Sequence, residues 1–228
     1  MLSHTTNFSG THNLGRAARL APLFTSRDLV DSLEKMGVPM SYARNAEIYG
    51  QSEPTEFLYK VVSGTVRTSK ILNDGRRQIG EFYLPGDLFG YEVGSQHTFA
   101  AEAITQAKVI VVKRAAIEAL AARDNNVARQ LWTMTGRELQ RMQEHIVLLI
   151  KTAQERVAGF LLEMAERIKS TSEVELPMSR QDIADYLGLT IETVSRTLTI
   201  LENSAAIELP SSRRIVLRNR AALRRLNA

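Results

Sequence analysis

The sequence predicts an α+β chain built from an N-terminal β-roll, a long dimerisation helix and a C-terminal winged helix-turn-helix. Three observations carry this reading. Short β-rich runs broken by turn residues fill about Ala46 to Lys113. A stretch dominated by Ala, Leu, Glu, Arg and Gln then runs from Arg114 to Thr152, with neither Pro nor a strand pattern in it. Finally, Met178 to Asn203 reads as helix, Gly-containing turn, helix. The expected divisions are a flexible arm over 1–25, the roll over 26–122, the dimerisation helix over 123–152 and the winged domain over 153–228.

The bulk numbers exclude several classes. At 228 residues, 44% hydrophobic and 24% charged, the composition is that of a soluble globular chain. No apolar run is long enough for a membrane span and no leader pattern opens the chain, so a cytoplasmic protein with no membrane partner is expected. The absence of cysteine rules out disulfides, thiolate metal sites and cysteine-bound iron–sulfur clusters. His4, His12, His97 and His145 are scattered and form no ligand cluster, so neither metal nor cofactor is expected. His97 reads as polar loop surface. There is no Walker loop, Gly-x-Ser-x-Gly or His-Glu-x-x-His run, and Ser32-Leu33-Glu34-Lys35 lacks the companions of a Ser-x-x-Lys site. The chain does not read as an enzyme.

Taken in order, the elements begin with a short helix near Ser26 to Met36, with Leu29, Val30 and Leu33 on one face. Strands follow at Phe57–Val62, Thr65–Ile71, Gln78–Leu84 and Val109–Val112, with corners at Ser63-Gly64, Asn73-Asp74-Gly75 and Pro85-Gly86-Asp87. In the helical stretch, Trp132, Thr135, Leu139, Met142, Ile146 and Leu149 step alternately by three and four, which is a heptad seam. Arg129, Arg137, Glu144 and Lys151 occupy the other face, so the stripe is narrow and suits a second copy of the chain. A further helix over about Ala153 to Ser170 buries Phe160, Leu161, Met164 and Ile168, and Ser170 to Pro177 reads as a linker.

The last segment carries the function. Ser179-Arg180-Gln181-Asp182 has the form of a capping box, Gly188 ends the first helix, and Thr190 caps the second. Val194, Leu198 and Leu201 point inward from that second helix, while Ile191, Glu192, Ser195, Arg196 and Thr199 share its outer face. Arg196 can fork onto guanine O6 and N7, Glu192 can accept from a cytosine amino group, and Ile191 can meet a thymine methyl. A bland alternative is an exposed pair between Glu192 and Arg196, which would not explain the neighbouring residues. Ile207–Leu209 and Ile215–Leu217 are expected to flank a wing whose tip carries Arg213 and Arg214, and a basic tail follows with Arg218, Arg220, Arg224 and Arg225. The readout set is therefore Ile191, Glu192, Ser195 and Arg196. Backbone contacts are assigned to Arg180, Thr190, Thr193, Thr199, Arg213 and Arg214 of the winged domain.

The run Leu189-Thr190-Ile191-Glu192-Thr193-Val194-Ser195-Arg196, with its Glu-x-x-Ser-Arg core, resembles the FixK-like branch of the Crp/Fnr family of transcription regulators, and the likeness extends from about Leu29 to Leu217. The resemblance implies a cyclic-nucleotide-binding-like roll, a homodimer on double-stranded DNA at TTGAT…ATCAA palindromes, contact with RNA polymerase, and activation of microaerobic, anaerobic-respiration and nitrogen-fixation genes. The departures are informative. Where nucleotide-binding members carry a phosphate-binding Arg, the run from Gly90 to Ala101 has none, although Glu92 matches the ribose-binding place. The resemblance thus implies regulation without a small-molecule effector; the alternative is an unknown effector in the roll. Some FixK-type relatives place a redox-active cysteine near the DNA, and Ser179 stands at the matching position here.

Overall fold

The structure is a computed structural model and describes residues 27–170 and 172–227. The expected arm over 1–25 lies outside the described residues. The elements run α1 (Arg27–Met36), β1 (Val38–Tyr42), β2 (Glu47–Tyr49), β3 (Phe57–Ser63), β4 (Val66–Ile71), β5 (Arg77–Tyr83), β6 (Leu88–Phe89), β7 (Ala100–Ala103) and β8 (Ala107–Lys113). They continue with α2 (Arg114–Ala121), α3 (Asn125–Leu149), α4 (Ala153–Arg167), β9 (Glu173–Glu175), α5 (Arg180–Leu187), α6 (Ile191–Asn203), β10 (Arg214–Val216) and α7 (Arg220–Asn227).

The roll is two four-stranded antiparallel sheets, ordered β1-β8-β3-β6 and β2-β7-β4-β5. The β4–β5 hairpin turns where Asn73-Asp74-Gly75 predicts it: Gly75 has φ +82° and its N–H donates to the Leu72 carbonyl. At Gly64, φ is +79° and a Cβ would sit 2.2 Å from the Gln106 carbonyl oxygen, so only glycine fits that corner. The short strands β1 and β7 escape the sequence reading for a physical reason. The residues of β1 are largely exposed and show no alternation, and β7 is Ala-Ala-Glu-Ala, without β-branched residues.

Aromatic rings fill the interior of the roll. Tyr59 and Tyr83 each stack on Phe89 at 5.0 Å, and Tyr49 lies 5.1 Å from Tyr59. His97 belongs to this packing and is not polar surface: it is 2% exposed and stacks on Tyr49 at 3.6 Å. Its loop folds back because the Glu92 carboxylate accepts from the Thr98 N–H at 2.9 Å and lies 3.0 Å from the His97 ring Nδ1.

The helical stretch comprises the short α2 and the long α3. Asp124 breaks it by capping α3, its carboxylate accepting from the N–H groups of Asn126 and Val127. Along α3 the side chains of Trp132, Leu139, Met142 and Ile146 stand 82%, 56%, 56% and 62% exposed. Thr135 is exposed as well, with its hydroxyl bonded back to the Leu131 carbonyl. An added Cβ at Gly136 would meet nothing within 4 Å. Leu149 departs from the predicted seam. It is only half exposed, its Cδ2 lies beside Gly188 of the helix-turn-helix, and Ile150 stands outward at 83% exposure in its place. A straight helix drifts about 20° per heptad, which carries the last step of a 3.5-residue pattern off the face.

Two further expectations are corrected. The linker read at Ser170–Pro177 contains β9, which pairs with β10, while the first wing strand is reduced to a bridge between Glu208 and Val216. The basic tail is a docked helix: α7 packs on α4 through the buried Leu223, and Arg220 donates to the Ser170 carbonyl.

Candidate nucleic-acid interface

The helix-turn-helix forms by local rules. Ser179 caps α5: its hydroxyl accepts from the Asp182 N–H at 3.1 Å, and the Asp182 carboxylate accepts from the Ser179 N–H at 2.9 Å. Gly188 adopts φ +62° at the other end, a left-handed stop that a side chain would strain. Thr190 then caps α6 by accepting from the Thr193 N–H at 3.2 Å. Ile183, Ala184 and Leu187 of α5 meet Val194, Leu198 and Leu201 of α6, all buried. From α4, Arg156 donates to the Leu187 carbonyl at 2.8 Å, satisfying an orphan carbonyl at the end of α5.

The outer face of α6 is open. Ile191, Glu192, Arg196 and Thr199 are exposed, and Ser195 and Thr193 are half-buried between them. Glu192 and Arg196 form no salt bridge, and Arg196 holds no hydrogen-bond partner among the described residues. Glu192 is held below the usual carboxylate range by its own backbone N–H, then by the Thr190 hydroxyl and the nearby Arg196 charge. It is an anion at neutral pH, ready to accept. Ser195 is tied to α5, because Arg180 Nη1 donates to its hydroxyl at 3.3 Å. The Arg180 Nε–H is buried without a partner among the described residues.

The remaining assigned residues fall in different settings. Thr199 donates to the Ser195 carbonyl at 3.2 Å. Arg214 is engaged, its Nη2 donating to Glu173 at 2.9 Å. Arg213 is half-buried and faces a cleft between the roll and the winged domain, as does Ser179. Arg224 of the tail lines a cavity formed by α3, α4 and α7.

The sequence reading missed Tyr186. Fully buried on α5, it packs on Phe82 of the roll at 5.2 Å, on Phe160 of α4 at 5.8 Å and on His145 of α3 at 4.1 Å. Burial lowers the pKa of His145 below its usual value, so this ring is neutral where it stacks. One side chain therefore joins the helix-turn-helix to three other parts of the chain. The only signal in the sequence was its place on the inner face of α5.

Two family profiles match: the cyclic nucleotide-binding domain over residues 39–124 and the Crp-like helix-turn-helix domain over residues 155–226. The chain is 54% identical over 199 residues to the nitrogen fixation regulation protein FixK of Azorhizobium caulinodans, covering 85% of this chain and 80% of that one. This chain belongs to the Crp/Fnr family of transcription regulators. The FixK protein of Rhizobium meliloti is 41% identical over 187 residues, 82% of this chain and 85% of that one. In three dimensions the chain matches the structure of FixK2 from Bradyrhizobium japonicum with a TM-score of 0.81 and 52% identity, covering 84% of this chain and 98% of that one. The fold is the expected one, and the protein is a DNA-binding transcription regulator.

Proposed function

We propose that this Crp/Fnr regulator acts as a homodimeric activator that binds TTGAT-type palindromes and needs no occupant in its roll. The observation that carries the reading is the unpaired state of Glu192 and Arg196 on the outer face of α6. At this spacing an exposed carboxylate and guanidinium gain only about 0.2–0.5 kcal/mol by closing on each other, so both stay available to a base edge. Left open, they suit cytosine and guanine edges, with Ile191 on a thymine methyl and Ser195 positioned by Arg180. Thr190, Thr193 and Thr199 would meet phosphates from the outer side of α6, Arg214 would exchange Glu173 for one, Arg180 already holds Ser195, and Arg213 turns to the interdomain cleft instead. The names of the relatives point to nitrogen-fixation genes as targets, and the family resemblance adds genes of low-oxygen respiration. RNA polymerase would be met through surface loops of the roll, in the cytoplasm. Ser179, a hydroxyl where some relatives place a thiol, would make this protein insensitive to oxidation at that position.

Two features support independence from an effector. Stacked rings fill the roll, and Glu92 is occupied by its own loop. The exposed stripe on α3, with Gly136 allowing close approach, favours pairing with a second copy. Such pairing would set the two recognition helices about 34 Å apart, one turn of DNA.

The test uses purified, ligand-free full-length protein in fluorescence anisotropy with a TTGAT palindrome at physiological salt. Tight binding that a scrambled duplex does not compete is the expected result. Binding seen only after a small molecule is added would reject effector independence. Leu139→Glu, measured by sedimentation, is expected to yield monomers that lose palindrome affinity while keeping their circular dichroism; a dimer of unchanged mass would remove α3 from the interface.

A further inference from the structure

The cleft between the roll and the winged domain encloses about 270 Å³. Arg44, Arg67 and Arg77 line it from the roll, and Ser179, Asp182 and Arg213 line it from the winged domain. Asp182 holds Arg67 Nη1 at 2.5 Å and Arg77 Nη2 at 2.7 Å. Glu102 takes the other end of Arg67 at 2.7 Å, and Asp185 takes Arg77 at 2.7 Å. These pairs account for two of the four guanidinium groups. The side chains of Arg44 and Arg213 make no hydrogen bond or ion pair among the described residues.

Arg67 plays a different part from Arg44 and Arg213. The Arg67 side chain is nine-tenths buried, and its Nε–H has no acceptor among the described residues. With both Nη groups on carboxylates and almost no accessible surface at Nε, Arg67 forms a wall of the cleft, and Arg44 and Arg213 supply the donors that a ligand can reach. Interdomain ion pairing explains Arg67 and Arg77 with their carboxylates. It does not explain two unpartnered arginines, one from each domain, turned toward the same small space.

We propose that this cleft binds a compact phosphate-bearing anion, such as orthophosphate or a small phosphomonoester. Guanidinium groups converging from several directions match a tetrahedral anion with acceptor oxygens on every side, whereas a planar carboxylate suits a single fork. The volume lies just under the roughly 300–1,000 Å³ of sites for drug-sized ligands, which selects a small ligand. Because its walls come from both domains, an occupant favours the interdomain arrangement in which those walls face each other. It therefore modulates a regulator that binds DNA without it. The site lies outside the packed interior of the roll, and its binding is measured first on protein free of DNA.

The full-length protein, free of DNA, is titrated with sodium phosphate by calorimetry, against sodium chloride of equal ionic strength, and its Tm is followed in parallel. Saturable binding and a rise in Tm specific to phosphate are expected. The Arg44→Ala/Arg213→Ala double variant, checked for folding by circular dichroism, is expected to bind about a hundredfold more weakly, roughly tenfold for each charge-assisted hydrogen bond lost. Arg44→Lys/Arg213→Lys should recover part of that loss. No saturable binding by the wild type, or equal binding by the double alanine variant, overturns the proposal. A last arm replaces single backbone phosphates of the palindrome with uncharged methylphosphonates. If one replacement weakens the wild type but not the double variant, and free phosphate does not bind, the cleft holds a DNA phosphate and the small-anion assignment is wrong.

Discussion

The helix-turn-helix presents charged side chains in two directions, and they are in opposite states. Toward the roll, Asp182 and Asp185 of α5 are matched by Arg67 and Arg77 at 2.5 to 2.7 Å, with Asp182 only 5% exposed. Outward on α6, Glu192 and Arg196 are exposed and without a salt bridge. The residue types are the same: carboxylates and guanidiniums on neighbouring helices of one small domain. What differs is solvent and distance. Where water is excluded, each charge needs its partner, and the pairing fixes how the domain sits on the roll. Where water remains, a charge stays open for exchange, which is what reading a base edge requires.

The sharpest way to break this contrast is to remove a charge from the inner side. Asp182→Ala takes one of two carboxylates from the buried Arg67, which keeps Glu102, and also removes half of the capping box of α5. It is expected to cost about 3–5 kcal/mol of stability, read as a fall in the urea midpoint. A loss under about 1 kcal/mol would mean that the inner pairs are as replaceable as surface ones. On the outer side, Arg196→Ala is expected to leave stability within about 0.5 kcal/mol and to cost about 1–3 kcal/mol of palindrome affinity. Site selection from random DNA should then show one guanine preference relaxed in each half-site. Unchanged selection would show that Arg196 does not read a base.

A pH-dependent effect comes from a third carboxylate on the inner side. On α4, Glu163 is pushed up from about 4.5 to about 7 by burial and then by the neighbouring Glu81 carboxylate, with Arg167 and Arg141 opposing. Between those two values the folded chain keeps a proton that the unfolded chain has released. The stabilisation this confers is complete below about 4.5 and is lost as pH rises through about 7. Urea midpoints taken across that window should fall less steeply in Glu163→Gln than in the wild type. Equal slopes in the two proteins would assign the pH dependence to other groups.

Much of the fold was legible because it is periodic or local. The exposed steps of α3 from Trp132 to Ile146, the Ser179–Asp182 box, the Gly188 stop and the buried Val194-Leu198-Leu201 face all follow from repeats and caps within a few residues. The same logic found the open face of α6, since a helix with one apolar side must turn the other outward. The errors lie where local signals are weak or where a regular pattern is cut short. The 3.5-residue seam of α3 holds to Ile146 and fails at Leu149, where the straight helix has drifted off the face. Strand β9 is three residues whose partner lies across the wing.

The amino-acid order alone thus determined the open outer face of α6, the exposed apolar stripe of α3 and the absence of cysteine. Folding alone decided that Arg67 would meet Asp182 across 115 positions, that Tyr186 would join three parts of the chain, and that His97 would lie under Tyr49 rather than in water. The division has a simple cause. Helices and caps are written in spacings of a few residues, whereas pairing between distant side chains leaves no period in the chain and arises only when the two domains close on each other.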